Sequence, residues 1–328
     1  MEKEKIIAIS LKEKNITLEK FLKEDLKIEK EFLKKAKEII KDCERSGIKI
    51  LTIFDNQYPE ELKRCPLPPL VIYMKGKIST LKKRKIGIIG TRKPTKYGRE
   101  VALEFSKKLS EKGVVIVSGG ARGIDTIAHL GAIEAGGETI CIFGSGLNVF
   151  YPPENIKIFK KIEENGSLIS EYPPDTKPFA YNFPMRNRII AALSEALLIV
   201  EAGEKSGTFI TVKWALDMGK EIFAIPGEIY SPKSRGPNFL IKQGAILVTD
   251  PSEILEYLGI EEKSEKEEIK LEGKEKKIFE FLKENGRKSI DEIREKIKIE
   301  TGELISILIN LEIKGIIRNE GSGFYSIK

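Results

Sequence analysis

The stretch "KIGIIGTRKPTKYGREVALEFSKKLSEKGVVIVSGGARGID", residues 85–125, runs through two short apolar segments, each closed by a Gly-bearing turn. Between them Val101, Ala102, Phe105 and Leu109 recur at helical spacing. Ile- and Val-rich runs this short read as strands buried on both faces, and two such strands joined through a helix form a parallel βαβ unit. Outward from this unit the alternation continues. Strands are expected near 85–90, 114–119, 138–144, 167–170, 196–202, 221–227 and 245–250, with helices at 97–112, 123–135, 184–194 and 206–219. The pattern predicts a doubly wound, mostly parallel α/β sheet, in which ligands collect at the carboxyl ends of the strands.

The flanks differ from this core. Residues 1–55 are rich in Lys and Glu, with apolar residues at helical spacing, and predict a small helical domain with a lead-in. The main domain is then expected over 56–260, entered through the Pro-stiffened "CPLPPLVIYMKG". The run "EEKSEKEEIK", 261–270, suits a charged linker. Residues 271–328 predict helix, helix, helix and a hairpin turning at Gly321–Gly323, the plan of a winged helix.

Composition narrows the chemistry. A chain of 328 residues with 33% charged and 41% apolar residues predicts a soluble protein, and no apolar run approaches the ~20 residues of a membrane helix. The mixed-charge N-terminal stretch has no signal-peptide pattern, which places the protein in the cytoplasm. Cys43, Cys65 and Cys141 form no CxxC pair, so neither a disulfide framework nor a zinc site is expected. His129 is the sole histidine, leaving little for imidazole catalysis, and it is expected to be a packed structural residue. The formal charge of +7 is not spread evenly: residues 1–85 carry 22 Lys and Arg against 14 Asp and Glu, whereas 86–260 carry 20 against 20. Any anion site in the central domain must therefore be a local patch.

Three Gly-bearing turns, "GTRKPTKYG" (90–98), "SGGARGID" (118–125) and "GSG" (144–146), follow successive strands. Glycine there lets backbone N–H groups approach a phosphate ahead of a helix N-terminus. The dinucleotide fingerprint GxGxxG is missing after the first strand, the second strand ends in Ser118 rather than an acidic residue, and no GK[ST] occurs. Arg92 and Arg122 sit in two of these turns, suited either to a phosphate or to a surface salt bridge. Asp125 is expected to cap or pair within the second turn.

In "NFPMRNRIIAAL", 182–193, Pro184 fits a first helical turn, and Arg186 shares the inward face of Ile189 and Ile190 while Arg188 points elsewhere. An inward Arg needs a partner, either a carboxylate such as Glu171 or Glu201 or a bound anion. Phe183 either staples the helix start or stacks on a base. Ser206, Gly207 and Thr208 open a further anion-friendly helix.

These segments, with "YPPEN", "ISEYPP", "FPMRNRIIAALSEALLIVEAGEKSGTFITVKWALDMGKEIFAIPG" and "GPNFLIKQGA", resemble the DprA/Smf family from about residue 58 to 258. The resemblance implies an extended Rossmann-like domain that binds single-stranded DNA without hydrolysing it and needs no cofactor. It implies a homodimer, with contacts near Ile246 to Leu255, that helps load RecA recombinase on incoming DNA during natural transformation. Carried onto matching positions, the binding residues would be Arg92, Gly119, Gly120, Arg122, Phe183, Arg186, Asn187, Arg188, Gly207 and Thr208. One point departs from the family pattern, and the winged helix, which agrees with many family members, is informative too. The first 50 residues lack a Gly-containing DNA hairpin, and "GELISILINLEIKG" is apolar and acidic where a major-groove reader presents Arg, Lys or Asn, which favours a protein contact. The alternative is a nucleotide-binding sensor or a phosphoribohydrolase-like enzyme in the same pocket. Its carboxylate would come from Glu171, Glu195 or Glu201, although "AGEKSGT" lacks that family's paired glycines.

Overall fold

The computed structural model describes residues 2–13, 16–23, 27–260, 271 and 273–327. The expected linker at 261–270 lies outside the described residues. Two compact units emerge, Met1–Glu262 and Lys263–Lys328.

The first unit begins with helices α1 (Lys3–Lys12), α2 (Leu18–Lys23) and α3 (Lys30–Arg45), then strand β1 (Lys49–Thr52), helix α4 (Glu60–Lys63) and strand β2 (Val71–Gly76). The alternating series follows: β3 (Lys85–Ile89), α5 (Lys96–Glu111), β4 (Val115–Ser118), α6 (Ile124–Glu134), β5 (Thr139–Ile142), α7 (Ile156–Asn165) and β6 (Ser167–Ser170). It continues with α8 (Asn182–Leu193), β7 (Ala196–Ile199), α9 (Thr208–Asp217), β8 (Glu221–Ala224), α10 (Arg235–Lys242), β9 (Ile246–Leu247) and α11 (Pro251–Tyr257). All seven strands expected from the sequence are present, the last cut to two residues.

The sheet order is β1-β2-β6-β5-β4-β3-β7-β8-β9, parallel from β6 to β9. β1 and β2 add to the β6 edge in antiparallel register. Strand residues alternate between two cores: Val115, Val117, Leu197 and Ile199 face one, Ile86, Ile88, Ile116 and Leu198 the other. Helices therefore cover both faces, as a parallel sheet requires. The chain steps from β3 through β4 and β5 to β6 on one side, then α8 carries it back to β7 beside β3. Direction reverses between β3 and β7, where a doubly wound sheet opens a crevice at its carboxyl edge.

The boundary expected at residue 55 has no counterpart in the packing. Ile6, Ile7, Phe21 and Ala36 share one continuous core with β2, β5 and α8, because β1 and β2 extend the sheet under the first helices. The Pro-stiffened entry to the main domain is thus partly sheet: Val71–Met74 is buried along its length. Cys43, Cys65 and Cys141 are free and buried.

The second unit contains α12 (Gly273–Asn285), β10 (Lys288–Ser289), α13 (Ile290–Ile297), α14 (Thr301–Ile313), β11 (Ile317–Asn319) and β12 (Phe324–Ile327). Ile278, Leu282, Ile293, Leu304, Leu308 and Leu311 form its own core, against an antiparallel sheet of order β10-β12-β11. A Ser289 capping box, with Glu292 reaching back to the cap N–H, starts α13.

Candidate nucleic-acid interface

The turn after β3 is pinned to the end of β7. Thr91 N–H donates to the Glu201 carbonyl at 2.7 Å, and the buried Glu201 carboxylate accepts from Thr95 N (2.9 Å) and Thr95 Oγ1 (2.6 Å). Thr95 in turn caps α5 by accepting from Gly98 N at 3.1 Å. A Cβ on Gly98 would lie 2.3 Å from the Glu201 carboxylate, which is why the motif closes on glycine. Arg92 is left exposed at the tip, with no ion pair or hydrogen bond among the described residues.

The turn after β4 docks on the first: Ile124 N–H donates to Thr91 O at 3.2 Å, and Gly123, at φ +82°, sits so close that a Cβ would meet Thr91 O at 2.4 Å. Gly120 also has positive φ, and a Cβ on Gly119 would come within 2.7 Å of both the Arg186 guanidinium and the Asp125 carboxylate. Arg122 pairs with Glu154 at the surface, both about half exposed.

Helix α8 places the remaining groups. Asn182 Nδ2 donates to Gly144 O at 3.0 Å, and the ring of Phe183 lies over Gly144, 5.7 Å from Tyr151 and 5.9 Å from the Arg186 guanidinium. Arg186 is inward, as expected, but neither Glu171 nor Glu201 pairs with it: Nη1 donates to the Gly119 and Ile142 carbonyls, and Nε to Asn187 Oδ1 at 3.3 Å. Burial lowers its pKa. Burial also pushes the neighbouring Asp125 carboxyl up to about 6, against the pull of Arg186 and of the Ala121 and Gly119 N–H groups. His129 Nδ1 meets Thr139 Oγ1 at 2.6 Å, and burial, then Arg186, hold its pKa down to about 3.

Arg188 needs correction. It lies on the opposite side of α8 from Arg186 yet is equally buried, because the helix is covered on both sides. Its guanidinium makes a paired contact with Glu171 (2.7 and 2.6 Å) and donates to Leu67 O and Met185 O, so it clamps α8 to the antiparallel edge.

At the start of α9, Ser206 Oγ accepts from Thr208 N at 3.2 Å; Thr208 is buried and Gly207 exposed, with nothing within 4 Å of an added Cβ. These turns converge on an open trough of about 880 Å³ at the switch point, lined by Arg92, Phe183, Arg186, Asn187, Gly207 and Thr208 from the expected set. Gly119 and Arg122 border a small cleft beside it with Arg92 and Phe183, whereas Gly120 packs beneath on Cys141 and Phe159. Lys93, Lys205, Lys233 and Tyr151 also line the trough and were not anticipated. Lys93 and Lys205 stand inside turns already singled out. Lys233 comes from the loop after β8, a strand end at the same edge, with Nζ 3.4 Å from Thr91 Oγ1.

The carboxylates considered for catalysis are all engaged: Glu171 with Arg188, Glu201 with Thr95, and Glu195 with Arg84 and Lys85 N at the start of β7, the opposite edge of the sheet.

Fold and trough together define a class: a doubly wound α/β protein with a cation-lined cleft at the switch point and no dinucleotide fingerprint. The family model "DNA recombination-mediator protein A" matches residues 49–259. The chain is 43% identical to the DNA processing protein DprA of Bacillus subtilis over 229 residues, 70% of this chain and 77% of that one. It is 44% identical to the Smf protein of Escherichia coli over 202 residues, 61% of this chain and 54% of that one. Among solved structures, DprA of Streptococcus pneumoniae superposes with a TM-score of 0.64 at 32% identity, covering 77% of this chain and 92% of that one. DNA processing protein A of Helicobacter pylori, described as having a unique single-stranded DNA binding mode, gives 0.59 at 32% identity over 64% and 95%. The chain belongs to the DprA/Smf family.

Proposed function

We propose that the trough binds single-stranded DNA, without hydrolysing it, as part of a DNA-processing role in recombination. The observation that carries this reading is the pairing of cations with a ring at one sheet edge. Arg92, Lys93, Lys205 and Lys233 line the trough, and Phe183 is held beside Arg186. Cations that follow a backbone, with an aromatic face for a base, are the means by which single strands are held without sequence readout. The similarity to the Helicobacter pylori protein supports the same reading. So does the engagement of Glu171, Glu195 and Glu201, which leaves none of them as a free general acid or base.

In this reading Arg92, Gly207 and Asn187 approach the strand, Arg186 fixes the floor, and Arg188 and Gly120 act through the scaffold. The protein works as a homodimer that hands the strand to RecA in the cytoplasm during transformation. The half-exposed Ile246 and Leu247 on edge strand β9 suit a subunit contact. The second unit is read as a winged helix that contacts protein, since α14 exposes Ile305, Ile309 and Ile313.

The test is fluorescence anisotropy of a labelled oligothymidylate across salt concentrations. Four trough cations on phosphates give a slope of log K against log salt of about −2.8, at about 0.7 per contact. Duplex should bind more weakly, and no nucleotide should turn over. A slope near zero overturns the reading.

A further inference from the structure

A second pair of rings lies just outside the trough. Phe179 and Tyr181 stack almost parallel, 5° between planes and 5.5 Å between centroids, yet remain 45% and 60% exposed. Residues alternate along this segment: Pro178 and Ala180 line the trough, whereas Phe179 and Tyr181 border the far side of the ridge they form. The ridge is held in place. Phe179 N–H donates to Lys177 O (2.9 Å), Asn182 N–H to Phe179 O (3.0 Å), and the buried Asn182 side chain to Gly144 O (3.0 Å).

We propose that Phe179–Tyr181 is a base-stacking platform that extends the single-strand site past the trough, taking the bases next to the one on Phe183. This inference rests on the trough reading above. Only Asn182 lies between Phe183 of the trough pair and Tyr181 of the second pair, so the two pairs are neighbours along one segment of chain. Rings fixed by backbone hydrogen bonds stack on a base at small entropic cost, and every base has a face to offer. Lys177, exposed on the same loop and without a carboxylate partner among the described residues, supplies a cation for the backbone. Glu13 borders the cavity beyond the rings, where Glu171 and Arg188 neutralise each other. The Glu13 carboxylate repels phosphate but not a neutral base, which orients bases toward the rings and the backbone toward Lys177.

The test is a length series of oligothymidylates, about 4 to 16 nucleotides, titrated into the intact protein, the double variant Phe179→Leu/Tyr181→Leu, and Arg92→Ala. Leucines keep apolar volume and remove the ring faces. The double variant should bind the shortest oligomers as the native protein does, reach its affinity plateau about one or two nucleotides earlier, and bind the longest about 10-fold more weakly. Photocrosslinking with 5-iodouracil-substituted strands should place adducts on Phe179 or Tyr181. An unchanged length profile, or adducts confined to trough residues, overturns the platform. Arg92→Ala separates the two readings: it should weaken binding at every length, and unchanged affinity at all lengths removes the trough itself.

Discussion

Replacing Arg92 and Arg186 one at a time separates binding from folding. Arg92 is exposed and has no partner among the described residues, so Arg92→Ala orphans nothing and should shift stability by no more than about 0.5 kcal/mol. In the proposed reading its contact with a phosphate is a charged hydrogen bond, worth about 1.5–3 kcal/mol, and losing it should cost roughly 10- to 100-fold in affinity. The salt slope should flatten by about 0.7. Arg186 is only 4% exposed and its donors hold the Gly119 and Ile142 carbonyls. Arg186→Ala strands both acceptors, at about 1–3 kcal/mol each, and deprives Asp125 of its nearest cation. It should therefore lower the denaturation midpoint before it reports on DNA. Anisotropy titrations at several salt concentrations, beside urea melts of the same preparations, measure both quantities. A native-like affinity and slope for Arg92→Ala would refute the trough assignment. An Arg186→Ala protein of native stability that merely fails to bind would refute the scaffold role of Arg186.

Asp125 gives a pH test. Its folded pKa of about 6 lies above the ordinary 3.8, so its contribution to stability is full below about pH 4 and lost as pH rises through about 6. Above that the carboxylate offsets Arg186, so affinity for an oligothymidylate should be higher at pH 5 than at pH 8; Asp125→Asn should flatten the profile, and His129, with its pKa near 3, stays neutral throughout. Gly119→Ala, whose Cβ would sit 2.7 Å from Arg186 and Asp125, should cost about 1–3 kcal/mol in a urea melt, whereas Gly207→Ala, facing open space, should leave stability unchanged. Glu171→Ala leaves Arg188, whose side chain is 3% exposed, buried without its partner and should cost about 3–5 kcal/mol. Removing the more exposed Glu195 should cost no more than about 1 kcal/mol in the same assay.

The parallel strands and their helices were legible because each announces itself locally, by an Ile/Val run followed by a turn and a helical stripe. "GTRKPTKYG" shows the limit. Its glycines and Arg92 were read as phosphate-facing, yet Gly98 is there to admit the carboxylate of Glu201, more than a hundred residues away. For α8 the helical period placed Arg186 and Arg188 on opposite sides, but period alone does not say that both sides are covered. The antiparallel β1–β2 pair hid behind prolines, because Val71–Met74 looks the same as lead-in or as strand until it meets β6.

The order of elements, the inward turn of Arg186 and the Gly-bearing edge follow from the sequence alone, since periodicity and turn chemistry act over a few residues. Tertiary structure decided which strands became neighbours. It thereby brought Lys233 from the loop after β8 beside Thr91 after β3, gave Glu171 to Arg188, and left Arg92 exposed with no ion pair or hydrogen bond among the described residues. Those outcomes depend on contacts between residues distant in the chain, and no local pattern encodes a distance that only the closed sheet creates.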